Sequence, residues 1–307
     1  MIYWSAKLGA LEALENGTTC IIDHHESPNA IEGSLDVIAQ ACAEVGVRVS
    51  CAYGVTDRHG GSGPVPIEGQ PNANTRPTRM TDAARRGLQE NERFLKSGGR
   101  GYVGAHAAFT CADETLEAIA GLAADLGVGV HVHVAEGTGD ADAGVRWEKL
   151  AREDWLLVHC VFLDRYLPGT IAHNPRSNYN NGVGYAAPAR RSNRIVLGTD
   201  GIGADMGEEF RLAYVAHRND DLTASPDTAW SWLENARVLF PESRDDIVSW
   251  SYSPIEPWQV AFTPGIRATD VWVNGEHVVE LGKAIKVDGE EIRSRAKEQK
   301  VRLFACL

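Results

Sequence analysis

The sequence is poor in positive charge, in paired cysteines and in long apolar runs, and each shortage removes a class of function. Its 30 Lys and Arg are outnumbered by 42 Asp and Glu, for a net charge of -12 at pH 7. An acidic chain has no electrostatic attraction to nucleic-acid phosphates or to an anionic membrane surface, so neither is expected as a partner. No apolar run reaches the roughly 20 residues that a membrane-spanning helix needs. The opening MIYWSAKLGALEALENG has neither a basic start nor a continuous apolar core, so no secretory signal is expected. The six cysteines (Cys20, Cys42, Cys51, Cys111, Cys160 and Cys306) form no CxxC pair and no framework spacing. Most stand in apolar runs and read as buried, reduced thiols, which points to the cytoplasm. GxGxxG and GxxxxGK[ST] are missing after the first strand, so no nucleotide cofactor is expected.

What is present is a rhythm. At 307 residues and 43% hydrophobic content the chain can bury a substantial core. Thr18–Asp23, Val47–Val55, Tyr102–Phe109, Val128–Glu136, Leu156–Cys160, Thr170–Pro175 and Arg194–Gly201 read as seven strands. They are nearly continuous in apolar residues, as parallel strands buried on both faces are. Segments of helical period such as DAARRGLQENERFLKSG, DETLEAIAGLAADLG and ADAGVRWEKLAR lie between them. Repeated βα units predict an α/β protein with a parallel sheet, doubly wound or closed into a (β/α)8 barrel. A helix ahead of the first strand, SAKLGALEALENG, ends at Gly17 as a C-terminal cap should.

The tail differs. Asp245–Pro254 and Ala268–Ile285 read as strands, the latter folded back at Asn274-Gly275, a strong hairpin signal. A charged helix follows from about Glu290. The chain thus divides into residues 1–240, carrying the βα units, and 241–307, a small β appendage with its helix. The Gly-, Pro- and Asn-rich stretch His59–Arg79 reads as a loop or lid.

Polar residues gather at the C-terminal end of each strand: Asp23, His24 and His25; Asp57 and Arg58; His106; His133 and Glu136; His159; His173 and Asn174; and Asp200. In a parallel barrel such positions converge on one mouth. In GVGVHVHVAEG, His131 and His133 share a strand face and Glu136 follows three residues later. Neutral imidazoles and carboxylates suit Zn²⁺ or Fe²⁺, which turn water into a nucleophile near neutral pH. A carboxylate beside the metal can carry protons between that water and a leaving group. A network of hydrogen-bonded structural histidines is the competing reading.

HVHVAE, LLVHC, AHNPRSN and LGTDGIG, in that order and spacing, resemble the amidohydrolase superfamily in its cytosine/guanine deaminase and chlorohydrolase branch. IIDHHESP, VGAHAAFT, NPRSNYNNGVGY and LGTDGIGADMGEE are more specifically similar to the aminohydrolases associated with selenium metabolism (SsnA-type), and the resemblance runs from about Ala10 to Ile285. It implies a TIM-like barrel of which strands 2–8 are present and strand 1 is missing, with a C-terminal partial β-sandwich. His133 would be a metal ligand, with Asp200 and His159 beside the metal; Asp200 would also be the general base and Glu136 the proton shuttle. His106, His173, Asn174, Arg176 and Asn178 would meet the substrate, with His25 added from the DHHESP stretch. His131 would be a core or supporting residue. The family carries a further HxH upstream on strand 1, so HVHVAE is expected to be the strand-five half of the site. Of the neighbours His24 and His25, which face opposite ways on a strand, at most one can turn inward.

The implied activity is hydrolysis of a carbon-nitrogen bond outside a peptide, in a heterocyclic or amidine-like small molecule, with a divalent metal, zinc before iron. A homologue that only binds a small ligand or partner, and a dechlorinase on the same scaffold, are the alternatives. The partner expected is a small molecule; the long loop and strand edges are compatible with a homodimer.

Overall fold

The computed structural model describes residues 1–58, 76–253 and 256–305. Most of the expected lid, and Cys306, lie outside the described residues. The expected strands form as β1 (Cys20–His25), β2 (Arg48–Tyr53), β3 (Val103–Ala107), β4 (Val130–Val134), β5 (Leu156–His159), β6 (Thr170–His173) and β7 (Ile195–Leu197). β3 to β7 lie in chain order in one five-stranded sheet, and β1 pairs with β2. Parallel bridges join Cys51 to Gly101 and Val55 to Ala105, linking the β2 segment to the β3 segment. Chain-order parallel neighbours are what successive βα crossovers of one hand produce.

The helices are α1 (Ile2–Glu15), α2 (Ser34–Val45), α3 (Asp82–Lys96), α4 (Asp113–Leu126), α5 (Ala143–Trp147), α6 (Pro175–Asn180), α7 (Met206–Asp220), α8 (Pro226–Glu234), α9 (Pro257–Phe262) and α10 (Gly289–Phe304). α1 leads out through Asn16 into Gly17 at φ 82°, the left-handed exit its sequence calls for. Thr81 caps α3 by accepting from the Ala84 N–H. The segment ADAGVRWEKLAR gives only the five-residue α5. Its fully buried Trp147, set edge-on to Trp155 at 5.2 Å, takes the N–H groups of both Leu150 and Ala151 on its carbonyl and ends the helix there.

Contacts divide the chain into two compact units. Ile22–Asp36 and Ser50–Val196 form one of them, with Ala105, Val132, Leu157 and Ile171 fully buried along its strands. Fully buried Asn91 on α3 ties helix to strand: Nδ2 donates to the carbonyls of Tyr53 at 2.9 Å and Gly87 at 3.1 Å, while Oδ1 accepts from the Tyr53 N–H at 2.9 Å. A side chain cannot intrude at Gly104, where a Cβ would lie 2.2 Å from the Tyr53 oxygen. Asp57 is a buried structural carboxylate, accepting from the N–H groups of Thr81 and Ala112 at 2.7 and 2.8 Å and from the Thr115 hydroxyl at 2.7 Å.

Met1–Ile21, Val37–Val49 and Leu197–Leu307 form the other unit. It carries an antiparallel sheet of β8 (Ile247–Trp250), β9 (Ala268–Val273), β10 (Glu276–Glu280) and β11 (Lys283–Ala284) in the order β11-β10-β9-β8. Val273 pairs with Glu276, so the hairpin loop is Asn274-Gly275 alone, with φ 52° and 77°, the doubly left-handed turn that suits strand twist. Arg48 donates to both oxygens of Asp246, at 2.5 and 2.9 Å, tying the start of β2 to the approach to β8. Arg293 of α10 pairs with Glu15 of α1 at 2.6 Å. Among the described residues no helix is long and apolar enough to cross a membrane.

Asn91→Leu keeps the volume of the side chain but strands the Tyr53 N–H and carbonyl without partners. Leaving two buried backbone groups unsatisfied is expected to cost about 3 kcal/mol. Urea unfolding at unchanged slope measures it; a loss below about 1 kcal/mol would mean that these ties are replaceable.

Candidate active site

β3, β4 and β5 run side by side with Ala107 opposite His133 and Val134 opposite His159, so the histidines at their ends are brought together by register alone. The His133 ring lies 5.5 Å from that of His106 and is stacked on that of His159 at 5.5 Å. His24 reaches the same cluster from β1, its ring 4.5 Å from His133 and 4.7 Å from His131. His133 Nδ1 donates to the His106 carbonyl at 2.7 Å, which fixes the tautomer with its lone pair on Nε2. His106 Nδ1 sits 3.0 Å from the Thr110 hydroxyl. His159 Nδ1 is 2.8 Å from Asn178 Oδ1, and its Nε2 faces Glu136 Oε2 at 3.7 Å. The far oxygen of that carboxylate accepts from Asn181 Nδ2 at 3.0 Å.

The backbone is strained at this end of the sheet. Ala135, His159 and Cys160 adopt left-handed conformations at φ 47°, 70° and 54°, although none is glycine. Such residues cost on the order of 1–3 kcal/mol each and persist only where their surroundings hold them. Buried Asp140 does so beside β4, accepting from the Ala135 N–H at 2.8 Å and the Phe109 N–H at 3.0 Å. Cys160 N–H is held by the Val134 carbonyl at 3.0 Å, and Phe162 N–H by the Ala135 carbonyl at 2.8 Å.

Burial disfavours the charged form of two imidazoles, His24 and His173. Burial, then the surrounding histidines, pushes His24 well below the usual imidazole range. Burial and then the neighbouring His159 take His173 down to about 3. Burial alone raises Asp23 to about 6, and raises Asp140 to about 6 against the two N–H groups it accepts. Neutral imidazole is the form that binds a cation or accepts a proton.

Of the residues expected from sequence, His106, His133, Glu136, His159 and Asn178 come together. His173 is fully buried, its ring 5.7 Å from Tyr185, and Asn174 is buried with its carbonyl accepting the Asn178 N–H at 3.0 Å. Arg176 is half-buried on α6. His25 turns away from the cluster toward Ser27 Oγ at 2.8 Å and the Tyr53 ring at 6.0 Å, as alternation from His24 requires. His131 is buried, its ring 4.7 Å from that of His24. Asp200 belongs to the other unit, where it is exposed at φ 53° and its Oδ1 accepts from the Gly201 N–H at 2.6 Å. Sequence reasoning missed Asn181, whose only signal is its position three residues after Asn178. It also missed Asp140, for which the turn GTGD gives none, and left open which histidine of DHH faces inward.

Among the described residues no three His, Cys, Asp or Glu side chains converge closely enough to hold a metal ion. The donors nevertheless suit one in type. Both ring nitrogens of His24 are shielded from solvent without a hydrogen bond, beside His133 with its Nε2 lone pair. A buried imidazole left so is costly unless something binds it.

Residues 1–237 match the Amidohydrolase family, and the chain belongs to that family. It is 26% identical to a 5'-deoxyadenosine deaminase of Methanopyrus kandleri, over 96% of this chain and 74% of that protein. Among solved structures it resembles a zinc-bound adenosine deaminase from Xanthomonas campestris, with a TM-score of 0.78 at 19% identity over 99% of this chain and 75% of that one. A mutant of atrazine chlorohydrolase from Arthrobacter aurescens, complexed with zinc and atraton, also gives 0.78, at 20% identity over 97% and 76%. The fold is therefore the TIM-like barrel of amidohydrolases with a small antiparallel sheet near the C-terminus.

His173 makes the site acid-sensitive. Its pKa is lowered to about 3 in the folded protein, so it stays neutral while the unfolded chain takes up a proton below pH 6.5. Its share of stability is intact above pH 6.5 and falls at about 1.4 kcal/mol per pH unit as the pH drops toward 3. His173→Gln should flatten the slope of unfolding free energy against pH by that amount between pH 6 and 4, measured by urea unfolding. Parallel slopes for the two proteins would refute the assignment.

Proposed function

We propose that the chain is a metal-dependent hydrolase that releases ammonia from an amino-substituted heterocycle, of the 6-aminopurine nucleoside class. The observation that carries this reading is the Glu136–His159 pair: a half-buried carboxylate 3.7 Å from a fully buried imidazole, at the ends of adjacent strands, in a member of the amidohydrolase family. The deaminase relative supports the substrate class.

In such a deamination water adds to the sp² carbon bearing the amino group, the C–N bond breaks, and the oxygen stays as a carbonyl. Both protons must leave the water: one reaches the ring nitrogen beside that carbon and the other the departing nitrogen. Glu136 Oε2 is the atom suited to carry them, because Oε1 is occupied by the Asn181 N–H. His159 Nε2, facing that oxygen, is in place to share the proton. His133, with His159 or His24, would hold the cation, zinc rather than iron, and the resemblance adds Asp200 as ligand and general base. The cation would supply Lewis acidity toward the water. His106, His173, Asn174, Arg176 and Asn178 are the proposed substrate contacts; His25 faces Ser27 and Tyr53, and the geometry lends it no support.

The test is ammonia release from 5'-deoxyadenosine and S-adenosylhomocysteine by the zinc-supplied protein. Glu136→Gln should lower kcat about a hundredfold or more with zinc content unchanged, and Asp200→Ala should lower both. No ammonia from either nucleoside would overturn the substrate class; full activity in Glu136→Gln would overturn the proton carrier.

A further inference from the structure

We propose that Asn181 is a positioning residue that orients the Glu136 carboxylate toward His159; this rests on the proposed role of Glu136. Asn178 and Asn181 are one helical turn apart, on α6 and at its C-terminal cap, and so share a side of it. Asn178 meets His159 Nδ1 at 2.8 Å and Asn181 meets Glu136 Oε1 at 3.0 Å. One short helix therefore grips both partners of the pair.

The orientation of the Asn181 amide is set by its other contacts. Its Oδ1 accepts from Asn180 Nδ2 at 3.2 Å, and its Nδ2 also reaches Ser177 Oγ at 3.3 Å. Its backbone is fixed by a 2.8 Å bond from its N–H to the Ser177 carbonyl. The donor end thus faces Glu136. With Oε1 accepting that N–H, a proton taken up by the carboxyl group sits on Oε2, the oxygen toward His159. At the other end Asn178 Oδ1 accepts the His159 Nδ1 proton, which turns the lone pair of Nε2 toward Glu136. The two outer hydrogen bonds then point the same way, from Asn181 to Glu136 and from His159 to Asn178. Without Asn181 the exposed side of the carboxylate is free to rotate, and the two oxygens exchange places. Asn181 itself touches none of the reacting atoms in this scheme.

Asn181→Leu removes the donor at similar volume. In the nucleoside assay it should lower kcat about tenfold and leave KM within about twofold, with thermal unfolding unmoved, while Asn181→Gln, which keeps an amide donor, recovers part of the rate. A wild-type kcat in Asn181→Leu, or a change in KM alone, would overturn the inference. Should the wild type release no ammonia, the proposed function fails, and the orientation is decided by NMR of ¹⁵N-labelled protein. Glu136→Ala should then shift the Asn181 side-chain amide signals and leave those of Asn91 in place; unmoved Asn181 signals would overturn it.

Discussion

Parallel hydrogen-bonding register is the constraint on which the site depends. In a parallel pair every strand presents its C-terminal end at the same edge, and a one-residue slip would turn each side chain to the opposite face. Val103 opposite Val130 and Leu156 opposite Thr170 settle where β3 to β6 stop. That in turn settles that His106, His133 and His159 meet. The ties of Asn91 and Asp57 hold α3, the α4 entry and the β2–β3 approach around that register. The apolar content of the strands provides the driving force; those few buried polar groups select one alignment among the ones that burial alone would allow.

The second layer is electrostatic. Five imidazoles (His24, His106, His131, His133 and His159) lie in a chain of ring contacts at 4.5 to 6.4 Å, and such a cluster is tolerable only when most of its members are neutral. Burial disfavours the charged form at His24. The same burial raises Asp23 on β1, so that carboxylate holds a proton more tightly than a solvent-exposed one while His24 holds it less tightly. One cause acts on the two groups in opposite directions, taking Asp23 up to about 6 and His24 below the usual imidazole range.

Much of this was legible in the sequence, and the legible part has a physical reason. Strands buried on both faces leave a run of β-branched residues, and the two-residue turn at Asn274-Gly275 leaves a dipeptide; both are local. The histidines at strand ends were legible because a polar residue closing an apolar run stands out. Side-chain direction inside DHH was not, because alternation says that two neighbours differ without saying which is inside. Asn181 and Asp140 escaped for another reason. Each acts through a partner distant in sequence, 45 residues away for the Asn181–Glu136 bond and 31 for Asp140–Phe109, and nothing in the residues themselves marks such a contact. α5 was overestimated because helical period continues past Trp147 while the chain turns to bury that ring against Trp155.

Several departures from ordinary local rules gather at the strand ends. Left-handed Ala135, His159 and Cys160 and the hydrogen-bond-free ring nitrogens of His24 all lie at or beside the strand ends of one unit. A chain selected only for stability would put glycine or asparagine at the left-handed positions and an apolar residue in place of His24. Instead the neighbouring framework, the Asp140 carboxylate and the backbone bonds to Val134 and Ala135, is regular and well satisfied. Strain confined to a few residues and supported on all sides is the pattern expected where geometry serves chemistry rather than folding.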